Sequence, residues 1–407
     1  MHTLTDAGEA RLETFLEDLG DLLGDQRRKA SFATYALGLL GEGERKSVEP
    51  IAARAVGGAD HVDAAHQRLL HFLSRSEWDD RAVRRFATRY ALKFMTAEQP
   101  IEACIIDDTG FLKQGTHSVG VQRQYTGSAG KIANCQVGVS LSLATRSDHL
   151  PVDFELYLPT SWTDDDARRL EARIPDDVVF KTKPELALEM LTRAHEDGLP
   201  LGVVLADAGY GSSSDFRLGV HRLGLPYSVG VASTSKVFEV REVVNRGGQA
   251  IDLRKLATKL DAKGKFQRFT WRTGSRGELS ARFAMRRVTP CAEQGHELDE
   301  RSTVWLLIEW RDGETDPANY YFSSLPQDTS LDSLVAITTQ RWRTERAYQD
   351  LKGELGLDHY EGRKFRGWHH HISVVLCCYA FAVAERHRIF PLSTRRPRRD
   401  GPLRGTA

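Results

Sequence analysis

The sequence predicts an α/β fold led by a helical region, and three observations carry that reading. Apolar residues recur at helical spacing through the first hundred residues, with almost no strand signal. From residue 101 they gather into short runs of strand length. Helix and strand then alternate toward two closing helices, which is the order of an α/β core. A chain of 407 residues also exceeds the ~250 to 300 at which one hydrophobic core stops growing, so two or three domains are expected.

The helical region is read from Leu12–Leu23, Phe32–Leu40, Val62–Leu73 and Val83–Phe94, separated by breakers at Gly41–Gly43 and Gly57–Gly58. Its last segment sets Arg81, Arg84, Arg85, Arg89 and Lys93 beside the apolar face, which suits phosphate contact or an ordinary solvated face equally. Strands are predicted at Ile101–Ile106, Cys135–Leu143, Val152–Leu158 and Val203–Leu205, with a helix at Glu185–Ala194. Asp164, Asp165 and Asp166 precede Ala167–Leu170 and are expected to begin a helix. Ser233–Leu325 reads as a β-rich insertion, with turns at Gly247–Gly248 and Gly274–Gly277 and a strand run at Thr303–Trp310. Ser333–Leu355 and His369–Arg388 are helical, and Phe390–Ala407 is a basic tail, expected to be disordered. The resulting domains are 1–98, helical and expected to bind DNA; 99–232, the first part of the core; 233–325, the insertion; 326–389, the second part of the core; and 390–407, the tail.

Composition narrows the class. With 41% hydrophobic and 28% charged residues the chain is globular rather than disordered. Lys and Arg number 56 and Asp and Glu number 56, so any affinity for a polyanion depends on where charge lies. Cys104, Cys135, Cys291, Cys377 and Cys378 form no metal-ligand spacing, and a reducing cytoplasm is expected. Residues 1–25 hold seven acids and one base, unlike a secretory signal, and the most apolar helix segment, Ile372–Ala384, falls short of the ~20 residues a membrane span needs.

Charge is uneven inside the insertion. Residues 254–287 contain eleven bases, among them Arg268, Arg272 and Arg276, against Asp261 and Glu278. Phe266, Phe269, Trp271 and Phe283 are interleaved with them. Cations for phosphates and rings for bases make a nucleic-acid groove, while a charge run is also a common solvated face.

Two strand-like runs end in aspartate, at Ile105-Ile106-Asp107-Asp108 and at Val203-Val204-Leu205-Ala206-Asp207. A carboxylate fixed at a strand end suits a hard cation such as Mg²⁺, and equally a turn or cap. Farther on, Arg341, Glu345 and Lys352 stand at i, i+4 and i+11, close to one helical face. That face suits a site or a surface ion-pair ladder. His369, His370 and His371 diverge by ~100° each on a helix and cannot converge on one ion, so a helix start or phosphate contact is expected. Cys377 and Cys378 are expected to pack.

Taken together, these residues resemble DDE-type transposases of bacterial insertion sequences. The subgroup is the one whose signature runs Tyr, two residues, Arg, three residues, Glu, six residues, Lys. Arg341, Glu345 and Lys352 fit that spacing, and Thr338 stands where the signature has Tyr. The phrases IIDDTGFLKQG at 105–115, LYLPTSW at 156–162 and LADAGYG at 205–211 look like the insertion-sequence 701 family.

The resemblance implies a ribonuclease-H-like core in which Asp107, Asp207 and Glu345 form a catalytic, metal-binding triad. It favours Asp107 over Asp108, because the family's first acid directly follows its strand. The 137 residues between Asp207 and Glu345 leave room for the insertion that such families place there. Two Mg²⁺ ions are implied, ~3.5 to 4 Å apart, with Mn²⁺ as a substitute. Double-stranded DNA, as element ends and as target, is the implied partner. Arg341 and Lys352 become candidate phosphate contacts, joined by Arg268, Trp271, Arg272 and Arg276 of the insertion. A homodimer on DNA, no membrane, and a cytoplasmic, nucleoid-associated location complete the expectation. Two other functions share these features: a non-catalytic DNA-binding regulator derived from a transposase, and a metal-dependent nuclease without strand transfer.

Overall fold

The computed structural model describes residues 6–56, 59–239, 249–274, 277–291 and 303–391. The predicted turn at Gly247–Gly248 and the tail from 392 onward lie outside the described residues. Five helices come first: α1 (Asp6–Asp21), α2 (Gln26–Leu40), α3 (Val48–Ala55), α4 (Ala59–Ser74) and α5 (Asp80–Met95). Strands β1 (Ala103–Leu112), β2 (Gln122–Thr126), β3 (Lys131–Ala144) and β4 (His149–Tyr157) follow. Next come α6 (Thr160–Thr163), α7 (Asp166–Ala172), α8 (Lys183–Glu196), β5 (Val203–Ala206), α9 (Ala208–Gly211), α10 (Ser214–Arg222) and β6 (Tyr227–Val231). The insertion contributes β7 (Lys236–Glu239), β8 (Ile251–Asp252), α11 (Leu253–Asp261), β9 (Gln267–Gly274), β10 (Gly277–Pro290), β11 (Val304–Trp310) and β12 (Asn319–Ser323). Helix α12 (Leu331–Thr338), a 3-10 turn (Thr339–Arg341), α13 (Trp342–Leu355) and α14 (Phe365–Ile389) close the described chain.

The chain folds as two compact units. Among the described residues, the first comprises 6–100, 107–186 and 343–391, and the second comprises 101–106 and 187–342. The helices expected over 1–98 form, and they share the first unit with β2 to β4, α13 and α14.

In the first unit, β3 pairs antiparallel with β2, from Gln122↔Cys135 to Thr126↔Lys131, and with β4, from Val137↔Tyr157 to Ala144↔His149. The unit is organised around α14, which is buried along nearly its whole length. A helix apolar on all sides is a core helix, and α5, α4, α2, α1 and β4 all pack on it. Carboxylates start the helices that need caps: Asp25 accepts from the Arg27 and Arg28 amides, Asp79 from Ala82, and Asp165 from Arg168. The last of these is the helix start predicted from the aspartate triplet.

Burial corrects two phosphate-contact readings in this unit. Arg84 is buried, with Nε 3.1 Å from Asp153 and Nη1 2.5 Å from Asp80 and 2.6 Å from Ser373. The three histidines are buried too. His370 stacks on Trp78 at 3.8 Å between centroids, and His371 Nδ1 lies 2.9 Å from the Tyr35 hydroxyl. Cys377 and Cys378 pack in the core, as expected.

In the second unit, the first residues of β1 run parallel to β5, with Ile105 opposite Leu205, and β5 runs parallel to β6, with Ala206 opposite Val229. Antiparallel strands then extend this sheet in the order β12, β11, β10, with β7 and β9 both on β10 and β8 on β7. The result is a large mixed sheet with helices. The predicted insertion is its antiparallel part, and Phe269, Phe283, Leu307, Leu334 and Val335 fill the core beneath it.

Candidate active site

Asp107 does not end its strand. Strand β1 continues to Leu112, so Asp107 is its fifth residue and is 9% exposed. The sequence expectation stopped the strand at the first charge, yet Thr109 and Phe111 continue the buried pattern beyond it. Successive strand residues point to opposite faces, which separates Asp107 from Asp108. The Asp108 carboxylate sits 2.8 Å from Lys183 Nζ, while Asp107 Oδ1 accepts from the Asp108 amide at 2.8 Å.

A hydroxyl chain joins that strand to the helix of Glu345. Ser140 on β3 donates to the Asp107 carbonyl at 3.4 Å, and its Oγ lies 2.6 Å from the Tyr348 hydroxyl on α13. Lys352, at the other end of α13, donates to the Gly110 carbonyl at 2.8 Å and to Ser128 Oγ at 3.2 Å. Its ammonium also lies 5.4 Å from the centre of the Phe111 ring. Burial lowers the Lys352 pKa from its ordinary value. Gly110 is required where it stands, because a Cβ there would meet Thr126 Oγ1 at 2.0 Å. Glu345 occupies the first turn of α13 and is exposed.

Asp207 belongs to the second unit and follows β5 directly, as predicted. It caps α9, accepting from the Gly209 amide at 2.8 Å. Two glycines explain why this turn is so tight. A Cβ on Gly211 would meet the Gly230 carbonyl at 2.2 Å, and one on Gly230 would meet the Ala208 nitrogen at 2.8 Å. Tyr210, next to Gly211, is buried, so the phrase LADAGYG encodes a close approach of α9 to β6.

Arg341 is not on the helix of Glu345 and Lys352. It ends the 3-10 turn, and α13 begins at Trp342. The segment before it is anchored inside the second unit: Gln340 Nε2 donates to Glu102 at 2.7 Å, and Thr338 Oγ1 lies 2.6 Å from Ser228 Oγ. Thr338 is therefore a buried hydroxyl facing β6, a partner that residue spacing does not reveal.

In the insertion, Phe269 and Phe283 belong to the core, and Trp271 packs against it half-buried. Phe269 and Phe283 meet edge to face at 5.9 Å, and Trp271 packs on Phe283 at 5.5 Å. Several bases have acidic neighbours: Arg268 lies 2.5 Å from Asp312, Arg282 2.8 Å from Asp261 and Lys259 3.1 Å from Glu239. The side chain of Arg272 and all of Arg276 lie outside the described residues.

Asp107, Asp207 and Glu345 supply only oxygen donors, the set that a hard divalent cation takes. Among the described residues, no group of three or more His, Cys, Asp or Glu side chains is gathered closely enough to hold an ion. Among the same residues, no helix is long and apolar enough to cross a membrane.

Comparison with known proteins identifies the family. A model described as "Transposase DDE domain" matches residues 181–381. The chain is 30% identical over 217 residues to a "Probable transposase for insertion sequence element IS701" of Microchaete diplosiphon, covering 53% of this chain and 52% of that protein. It thus spans about half the length of the curated relative it matches. A solved piggyBac transposase synaptic complex with hairpin DNA is similar at a TM-score of 0.47 and 10% identity, over 92% of this chain and 69% of that one. The model described as "DDE superfamily endonuclease" matches residues 18–278, well over half of the sequence, and on that match the chain belongs to the DDE endonuclease superfamily.

Proposed function

We propose that this chain is a transposase that cuts DNA at the ends of an insertion sequence and joins the freed 3′-OH to target DNA. The observation that carries the reading is the set of three carboxylates in family order, each on a defined element: Asp107 in β1, Asp207 capping α9 after β5, and Glu345 opening α13. The family implies dependence on a divalent metal, for which we propose two Mg²⁺ ions, replaceable by Mn²⁺, held by Asp107, Asp207 and Glu345. When bound, such ions activate the attacking water or 3′-OH and stabilise the departing oxygen. The core carrying the three acids is proposed to be ribonuclease-H-like.

The chain's own residues supply the rest. The ion pair of Asp108 with Lys183 supports Asp107 as the proposed first acid of the triad. Lys352 uses N–H donors on Gly110 and Ser128, and its remaining donor is proposed to meet a phosphate of the cleaved strand. Arg341 is proposed to contact a neighbouring phosphate as a planar fork. The helical region 1–98 and the insertion are proposed to bind double-stranded DNA away from the cut, the latter through Arg268, Trp271, Arg272 and Arg276. Two copies on DNA would pair the two ends, and a bacterial cytoplasm with its nucleoid is the proposed setting.

The test is to incubate the protein with duplex DNA carrying the flanks of its own coding region, together with a target plasmid and Mg²⁺. Cuts at fixed end positions and joined products support transposition. Cuts without joining leave a nuclease. Binding without cutting by a metal-supplied protein leaves a regulator.

A further inference from the structure

We propose that Tyr348 is a positioning residue that sets the Glu345 helix against the Asp107 strand through Ser140; this rests on reading Asp107 and Glu345 as metal-holding carboxylates. Glu345, Tyr348 and Lys352 stand at i, i+3 and i+7 of α13, so they share one stripe of the helix. Two members of that stripe are tied to β1. Tyr348 reaches the Asp107 carbonyl through Ser140, and Lys352 reaches the Gly110 carbonyl directly. The third member is Glu345, about 4.5 Å up the helix axis from Tyr348 at 1.5 Å per residue. The stripe that binds the strand is thus the stripe that carries the acid.

Proton count fixes the direction of the chain. Ser140 has one hydroxyl proton and donates it to Asp107, so the Tyr348 O–H donates to Ser140. Ser140 is fully buried, which strengthens such a chain and makes each missing partner costly. Packing alone does not need the hydroxyl. The Tyr348 ring meets Phe154 at 6.2 Å, a contact that phenylalanine would keep. What the hydroxyl adds is a fixed rotation of α13, and carboxylates that share an ion must be held to within about 0.5 Å of their productive positions. Position 348 also lies outside the spacing formed by Arg341, Glu345 and Lys352.

The experiment compares Tyr348→Phe, Ser140→Ala, the double variant and Glu345→Gln with the wild type. Four quantities are read: thermal unfolding without metal, the shift in melting on adding Mn²⁺ without DNA, DNA affinity, and single-turnover cleavage against Mn²⁺ concentration. Tyr348→Phe and Ser140→Ala are each expected to lose only a few degrees of melting temperature, the cost of one buried hydrogen bond, and to bind DNA normally. Each should shrink the Mn²⁺-induced shift, demand more Mn²⁺, and cleave on the order of tenfold to a hundredfold more slowly. The double variant should be no worse than the worse single one, because both remove one chain. A wild-type metal response and rate in Tyr348→Phe, beside an inactive Glu345→Gln, overturns the proposal. Should Tyr348→Phe melt early, Ser140→Ala decides on the same readings. A Glu345→Gln protein that cleaves and responds to Mn²⁺ like wild type overturns the carboxylate reading instead.

Discussion

Lys352 donates its ammonium to the Gly110 carbonyl, 2.8 Å away, so the last turn of α13 is bonded to the main chain of β1 three residues beyond Asp107. A surface ion-pair ladder, the plainer reading of this helix face, does not account for a lysine held on a backbone carbonyl and over a phenylalanine ring. Replacing it with methionine keeps the stem on Phe111 and removes every donor. Lys352→Met is therefore expected to destabilise the protein by about 1 to 3 kcal/mol, the cost of leaving a buried carbonyl without its charged partner. Chemical denaturation measures this directly. An unchanged midpoint would return Lys352 to the solvent.

Asp107 and Asp108 should separate by substitution. Asp107→Asn is expected to abolish metal-dependent cleavage with DNA affinity intact. Asp108→Asn neutralises the carboxylate beside Lys183, a partly exposed pair worth about 0.2 to 1 kcal/mol, and should cleave at close to the wild-type rate. Single-turnover assays on both variants decide the assignment, and a dead Asp108→Asn beside an active Asp107→Asn reverses it.

Arg84 offers a stability test free of catalysis. Burial works against its charge, but Asp153 and Asp80 more than offset that and hold its pKa above the ordinary value. Removing one partner of a buried charge cluster strands the other, so Arg84→Ala should cost about 3 to 5 kcal/mol. A loss of DNA affinity with unchanged melting would instead restore the phosphate contact read from the sequence.

The buried histidines predict a pH dependence. Burial lowers the pKa of His370 and of His371 from 6.5 to about 4. The unfolded chain therefore takes up these protons first as pH falls, and stability present above pH 6.5 is lost progressively down to about pH 4. Each group accounts for on the order of 3 kcal/mol at the lower end. His370→Phe keeps the stack on Trp78 and removes the titration, so its melting temperature should fall less than wild type between pH 7 and pH 5. An equal fall in both proteins would place the titration elsewhere.

Much of this was legible in the sequence, for identifiable reasons. Helical periodicity and strand-length runs located α1, α2, α4, α5, β3, β4, β5 and α14, and breakers with β-type runs marked out the insertion. Asp207 stands out in the sequence because a charge directly follows an apolar run, and Glu345 because of its spacing from Arg341 and Lys352. Asp107 stands out in the same way, but its strand runs on to Leu112, since a charge inside a strand looks like its end until the pairing of both neighbours is known. Arg84, His370 and His371 were read as exposed because one helix cannot reveal what covers it. The partners of Ser140, Thr338 and Lys352 are 208, 110 and 242 residues away in sequence, and spacing carries no trace of such contacts.

A ligand swap at Asp207 reads out whether that carboxylate holds a metal of a DNA-cutting centre. Thiolate is a poor ligand for Mg²⁺ and a better one for softer divalent ions. Asp207→Cys, assayed in single turnover on end-bearing duplex, should be inactive in Mg²⁺ and regain cleavage in Mn²⁺, while the wild type cuts in both and in neither with EDTA. Wild-type cleavage by Asp207→Cys in Mg²⁺, or cleavage by the wild type in EDTA, would contradict the account.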